Sequence, residues 1–138
     1  MRFMVIVKGS AESEAGEMPT TEMLTEMGNY NEELVKAGVM QVGEGLQSSA
    51  SGARVRFDGS KRAVIDGPFG GDPKNLVAGF WVWKVKSRDE AIDWLKRAPF
   101  REGEVELRQI AEAEDFGEAL TPELRAQEDR LRRESAKV

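Results

Sequence analysis

Asp66-Gly67-Pro68-Phe69 puts a carboxylate at the end of an apolar run, 63–65, directly before Gly70-Gly71-Asp72-Pro73. A carboxylate at a strand end, beside backbone with little side-chain bulk, can hold a small ligand or move a proton. The same residues also make a turn without any ligand: Asp caps its own backbone, Gly takes a positive φ and Pro fixes its own. Asp66 is the one catalytic candidate, as acid or base, with Gly67, Pro68 and Phe69 as contact residues around it. Burial against Phe69 and Phe80 would suit Asp66 to proton transfer, whereas Lys74, near in sequence, would hold it as an anion. Glu44, between Gly43 and Gly45, can be approached closely by a ligand, and suits an ordinary loop equally well. Arg54, Arg56 and Arg62 sit where a hairpin is expected; they suit bidentate contacts to an anionic substrate, or a merely solvated face.

The chain has 138 residues and neither cysteine nor histidine. That excludes disulfides, thiolate metal sites and cysteine nucleophiles, and removes the commonest general base and metal ligand. No metal and no cofactor are expected. A net charge of −5 argues against a nucleic-acid binder, which needs a positive footprint. With 40% apolar and 33% charged residues, the chain has the balance of one globular domain with a charged surface. The opening apolar run, 3–7, is shorter than a signal-peptide core of roughly 7–15 residues or a membrane span of roughly 20. It reads as a buried strand of a cytoplasmic protein that does not contact membranes.

The elements that must position these residues follow from periodicity and punctuation. Residues 10–18 are polar and read as a loop. A helix starts at Pro19-Thr20-Thr21-Glu22 with Thr as cap, runs through Met23, Met27, Tyr30 and Leu34 with Leu24, Asn31 and Val35 alongside, and closes at Gly38. A strand follows over 39–43, and a hairpin over 54–65 turns at Asp58-Gly59. The segment 76–86 is a long strand. Ser87 and Glu90 box the start of a helix over 88–98 that Pro99 stops, and 104–110 alternates as a last strand. Thr121-Pro122 starts a peripheral, highly charged helix with Leu124 and Leu131 as its main apolar contacts. The order β-α-β, hairpin, β-α-β is a ferredoxin-like α+β fold with an inserted hairpin. The expected division is a domain over 1–110 and a helical extension over 111–138. Phe80 and Val82 face one side of their strand, and Trp81, Trp83 and Val85 the other, so both sheet faces call for burial and a homodimer is expected.

Asp66-Gly67-Pro68-Phe69, then Lys74, then Ala78-Gly79-Phe80-Trp81-Val82-Trp83 and Val85-Lys86-Ser87-Arg88-Asp89-Glu90-Ala91-Ile92, resembles the DGPF branch of the YCII-related superfamily. The resemblance runs from Met1 to about Ile110 and takes in Gly38-Val39-Met40 and Gly43-Glu44-Gly45-Leu46. It implies two ferredoxin-like sheets packed face to face as a dimeric α/β barrel, with Asp66 lining a cleft. Two departures matter. Only Lys74 matches the usual segment after the motif, and the histidine that small relatives carry on their first helix, paired with the Asp, has no counterpart; Met27 or a neighbour occupies that region. Any proton transfer must run through carboxylates, lysine, Tyr30 or water.

The leading expectation is a small polar or anionic molecule bound near the loop, with Glu44, Arg62, Asp66, Gly67, Pro68, Phe69, Lys74 and Phe80 as contacts. The resemblance also implies two alternatives: a lyase- or hydrolase-like enzyme using Asp66, after a dehydrochlorinase among the relatives, and a regulatory module linked to extracytoplasmic-function sigma factors.

Overall fold

In the computed structural model, which describes residues 1–136, the opening apolar run forms β1 (Arg2–Lys8). Phe3 and Val5 point to one face and are buried; Met4 and Ile6 point to the other and are half-buried. β5 (Val77–Lys84) lies antiparallel to β1, with Val5 opposite Trp81 and Phe3 opposite Trp83. β2 (Met40–Gly45) pairs with the far edge of β5, and β6 (Val105–Gln109) with the far edge of β1, giving the order β2-β5-β1-β6. Two helices, α2 (Thr21–Lys36) and α3 (Arg88–Lys96), bury Tyr30, Leu34 and Ala91 against Phe3, Val5, Trp81 and Trp83. The hairpin β3 (Ala53–Asp58) and β4 (Lys61–Asp66) is inserted between the two β-α-β halves as a separate two-stranded sheet. The fold is the mixed α+β, ferredoxin-like arrangement expected.

Local chemistry explains the ends of the elements. The Thr20 hydroxyl accepts from the Met23 amide, and Ser87 from Glu90. Gly38, at φ 72°, ends α2: its amide donates to the Val35 carbonyl and the Val39 amide to that of Leu34. Only glycine takes that φ without a steric penalty.

Several expectations are corrected. Residues 10–18 are not all loop: α1 (Ala11–Glu14) forms because Ser10 and Ser13 cap each other reciprocally. Met23, Leu24 and Val35 are exposed, because α2 rests on the sheet only through Met27, Tyr30, Asn31 and Leu34. Glu44 lies inside β2 opposite Phe80, not in a loop, because β2 runs two residues further than 39–43 suggests. Short 3-10 turns occupy Ser49–Ser51, Pro73–Asn75 and Ala113–Ala119. α4 (Pro122–Ser135) starts at its Thr121 cap as expected, but Leu124 and Leu131 are exposed rather than packed. The last two residues of the expected extension lie outside the described residues. Among the described residues no helix is long and apolar enough to cross a membrane.

Candidate functional site

Two places carry the candidate residues, and they are distinct. The first is the loop after β4. Asp66 is the last residue of that strand, opposite Ala53, and is exposed rather than buried against Phe69 and Phe80. Gly67 is crowded: its amide donates to the Gly52 carbonyl at 2.9 Å, and a Cβ at this position would run into the Ser49 carbonyl oxygen. Ser49 organises the rest. Its hydroxyl accepts from the Phe69 amide at 3.0 Å and donates to Glu14 Oε2 at 2.5 Å, while its own amide donates to Glu14 Oε1 at 2.9 Å. Arg54 stacks on the Phe69 ring, with its guanidinium carbon 3.9 Å from the centroid. α1, the Ser49 turn and the Asp66–Phe69 loop are thus one hydrogen-bonded unit.

The other predicted contacts are scattered around this unit. Pro68 is exposed beside Asp66. Lys74 is exposed on the turn Pro73–Asn75, where its amide donates to Asp72 Oδ1 at 3.0 Å. Among the described residues neither Lys74 nor Asp66 forms an ion pair. Arg62 is at the opposite end of β4, donating to the Gly59 and Lys61 carbonyls at 2.7 Å and resting on Phe57. The structure brings Asp66, Gly67, Pro68 and Phe69 together, and leaves Arg62, Lys74, Glu44 and Phe80 apart from them.

The Ser49 hydrogen bonds hold the Glu14 carboxyl below the usual carboxylate range. A lowered carboxylate pKa stabilises the folded contact above the unfolded value and loses that contribution as the pH falls through the folded one. The α1 tether is therefore expected to stay closed at neutral pH and to open only in acid, below the ordinary carboxylate range. Protease cleavage within residues 10–18 should rise there, and Glu14→Gln should show the same rise already at pH 7. Equal cleavage of the two proteins at every pH would rule the tether out.

The second place is a cleft of about 250 Å³ between α2 and the β2–β5 pair. Met27 and Asn31 of α2, Trp81 of β5, and Phe100 beyond α3 form its walls. Gly43, Gly45 and Gly79 lie on the same sheet face as Trp81 and make its floor. The glycine at 43 is required: a Cβ there would sit 2.8 Å from Trp81 Cδ1 and 3.0 Å from Met40 Cε. Phe80 and Glu44, also at the cleft, direct their side chains to the opposite face by strand alternation and meet it through backbone. Trp81 Nε1 donates to Asn31 Oδ1 at 3.0 Å. An indole N–H is a donor only, so the Asn31 amide is held with its oxygen toward Trp81. Its NH₂ has no protein acceptor among the described residues.

Tyr30, beside the cleft, is not available for proton transfer. Burial pushes its phenol well above its ordinary pKa, and its hydroxyl donates to the Trp94 carbonyl at 2.6 Å. Among the described residues, no group of three or more acidic side chains is placed to hold a metal ion. Sequence reasoning missed the cleft because Asn31 reads as one member of an apolar stripe. The usable signal was Gly43-x-Gly45 with Gly79, three positions without side chains on neighbouring strands.

No protein of curated function matches the chain. Among solved structures, 5-chloro-2-hydroxyhydroquinone dehydrochlorinase from Burkholderia phenoliruptrix AC1100, in complex with 2,5-dihydroxybenzoquinone, is similar at 18% identity and a TM-score of 0.47. The likeness covers 83% of this chain and 97% of that one. The family model for the YCII-related domain matches residues 1–114, which take in the four-stranded sheet, its two covering helices and the hairpin. The chain belongs to the YCII-related domain family.

Proposed function

We propose that this protein binds a small, flat, largely apolar molecule that offers a hydrogen-bond acceptor to Asn31. The observation that carries this reading is the Trp81–Asn31 hydrogen bond, which leaves the amide NH₂ free in a cleft otherwise walled by Met27, Trp81 and Phe100. The volume of about 250 Å³ suits one or two rings. The lining includes no lysine or arginine, which favours a neutral carbonyl over a carboxylate. Glu44, the one titratable residue at the cleft, faces away, so the reading is a binding domain before it is an acid–base catalyst.

Asn31→Asp tests it cleanly. The aspartate keeps an acceptor for Trp81 Nε1 and removes the donor to the ligand. In a thermal-shift and titration panel of ring carbonyl compounds, with their parent hydrocarbons as controls, the wild type should select carbonyls. Asn31→Asp should weaken them about tenfold or more, the worth of one buried hydrogen bond. Asp66→Asn, altered outside the cleft, should bind as the wild type does. Unchanged affinity in Asn31→Asp removes the cleft from consideration. Affinity lost only in Asp66→Asn moves the site to the Asp66–Phe69 loop and revives that carboxylate as an acid or base.

A further inference from the structure

The cleft is lined from β1, α2, β2 and β5, apart from one residue: Phe100 is carried by irregular chain between α3 and β6. We propose that residues 99–103 are a gate over the cleft, with Phe100 as its moving wall and an ion pair from Arg101 to Glu26 as its latch. The gate rests on the reading that the cleft binds a small molecule; its test does not.

The first observation is how little holds this segment. The amides of Arg101, Glu102 and Gly103 find no acceptor among the described residues, and that of Phe100 reaches only the Ala98 carbonyl two residues back, at 2.9 Å. Residues 100–104 are all exposed. Such a stretch opens at far lower cost than the strand ladder beneath it. Its ends suit bending. Pro99 fixes the chain where α3 stops, and Gly103, at φ 87°, has open space where a Cβ would be.

The second is what Phe100 covers. Its ring meets Trp81 edge-on, with centroids 6.2 Å apart. Phe100 is 36% exposed, whereas Trp81 beneath it is 5% exposed. Swinging Phe100 outward uncovers the indole without disturbing the Trp81–Asn31 hydrogen bond. Moving any other wall would break a ladder or lift a helix, so the least costly way in for a ligand is past Phe100.

The third is the tie to the opposite wall. Arg101 Nη2 lies 2.9 Å from Oε1 of Glu26 on α2, the residue directly before Met27. The Arg101 side chain is 70% exposed, so the pair is weak and screened by salt. That suits a latch, which must bias the gate closed and still release it. No lysine or arginine lines the cleft and Glu44 faces away, so salt has no other hold on the entry of a neutral molecule.

Acrylamide, small and uncharged, quenches an indole only by reaching it, and needs no hydrogen bond from Asn31. In a Trp94→Phe background two indoles remain: Trp81, which the gate covers, and Trp83, which is fully buried. Arg101→Ala and Glu26→Gln should each raise the quenching constant about two- to fivefold, and the two together no further than one alone. High salt should raise it in the parent and leave Arg101→Ala unchanged. Arg125→Ala, which breaks an exposed ion pair with Glu114 elsewhere, should match the parent. An Arg101→Ala protein quenched like the parent overturns the gate, as does quenching that ignores salt or rises as much in Arg125→Ala. So does a rise that persists once Trp81→Phe is added, because the access gained would then be to Trp83 through general loosening. A gate that passes these tests while ring carbonyls fail to bind still stands, and only the reading of what it guards is lost.

Discussion

Trp83→Ala is expected to cost about 3–5 kcal/mol of folding stability, the largest loss from any single truncation in this chain. Trp83 is fully buried and is the bulkiest of the fully buried side chains. It stands at the centre of the sheet, opposite Phe3 on one side and Met40 on the other, with the Trp81 ring 5.7 Å away. Little around it can collapse into the space, because its neighbours are held on paired strands. One detail sharpens the prediction. Trp83 Nε1 is buried without a hydrogen-bond partner among the described residues. An unpaired buried donor costs about 1–3 kcal/mol. Trp83→Phe removes that donor with part of the ring, so it should recover more than half of the loss seen in Trp83→Ala. Urea unfolding of the three proteins measures both differences. A Trp83→Phe protein as unstable as Trp83→Ala would show that ring volume, not the unpaired N–H, sets the balance.

Gly67→Ala is expected to be the most damaging single methyl group that can be added outside the core. The obstacle is the Ser49 carbonyl oxygen, which is backbone, so no rotamer change relieves it. Either the Ser49 turn or the Asp66–Phe69 loop must move. Each movement breaks the Gly67–Gly52 hydrogen bond, the Phe69–Ser49 bond, or both. Overpacking of this kind costs about 1–3 kcal/mol, and lost hydrogen bonds add about 1 kcal/mol each. The unit is peripheral, so the damage should appear first as amide exchange and protease cleavage across residues 49–69. Gly70→Ala is the matched control. Its Cβ would meet nothing within 4 Å, although its φ of 69° adds some strain of its own. If Gly70→Ala opens the loop as much as Gly67→Ala does, crowding against Ser49 is not what holds it.

Much of the fold was legible because its signals are local. Thr20, Ser87 and Thr121 each cap a helix by accepting a hydrogen bond from an amide three residues on, and a four-residue motif is readable from the chain alone. Gly38 ends α2 for an equally local reason. The alternation of Phe3 and Val5, and of Trp81 and Trp83, announced strands with a buried face, and that face proved to be the core. The same reasoning failed wherever exposure depended on distant parts of the fold. Leu24, Val35, Leu124 and Leu131 are apolar at helical spacing, yet all four face outward. Periodicity gives the angle of a stripe on its helix; it does not say where the next element lies.

The candidate sites divide along the same line. That Asp66 would sit at a strand end, before a Gly-Pro turn, was decided by the sequence, because the hairpin and its turn are short-range structures. The order of the elements, and with it the ferredoxin-like sheet, was also decided there, since patterning and chain order leave few topologies open. What holds the Asp66–Phe69 loop was decided only by tertiary structure: Glu14 reaches Ser49 across 35 positions, and Ser49 reaches Phe69 across 20. The cleft is still less local. Asn31 acquires its role from Trp81, 50 positions away, through a contact that exists only once α2 is laid across the sheet. A side-chain amide has two ends, and nothing in the chain says which will donate. The fold decides it by placing a donor-only indole against one of them, leaving the other for a ligand.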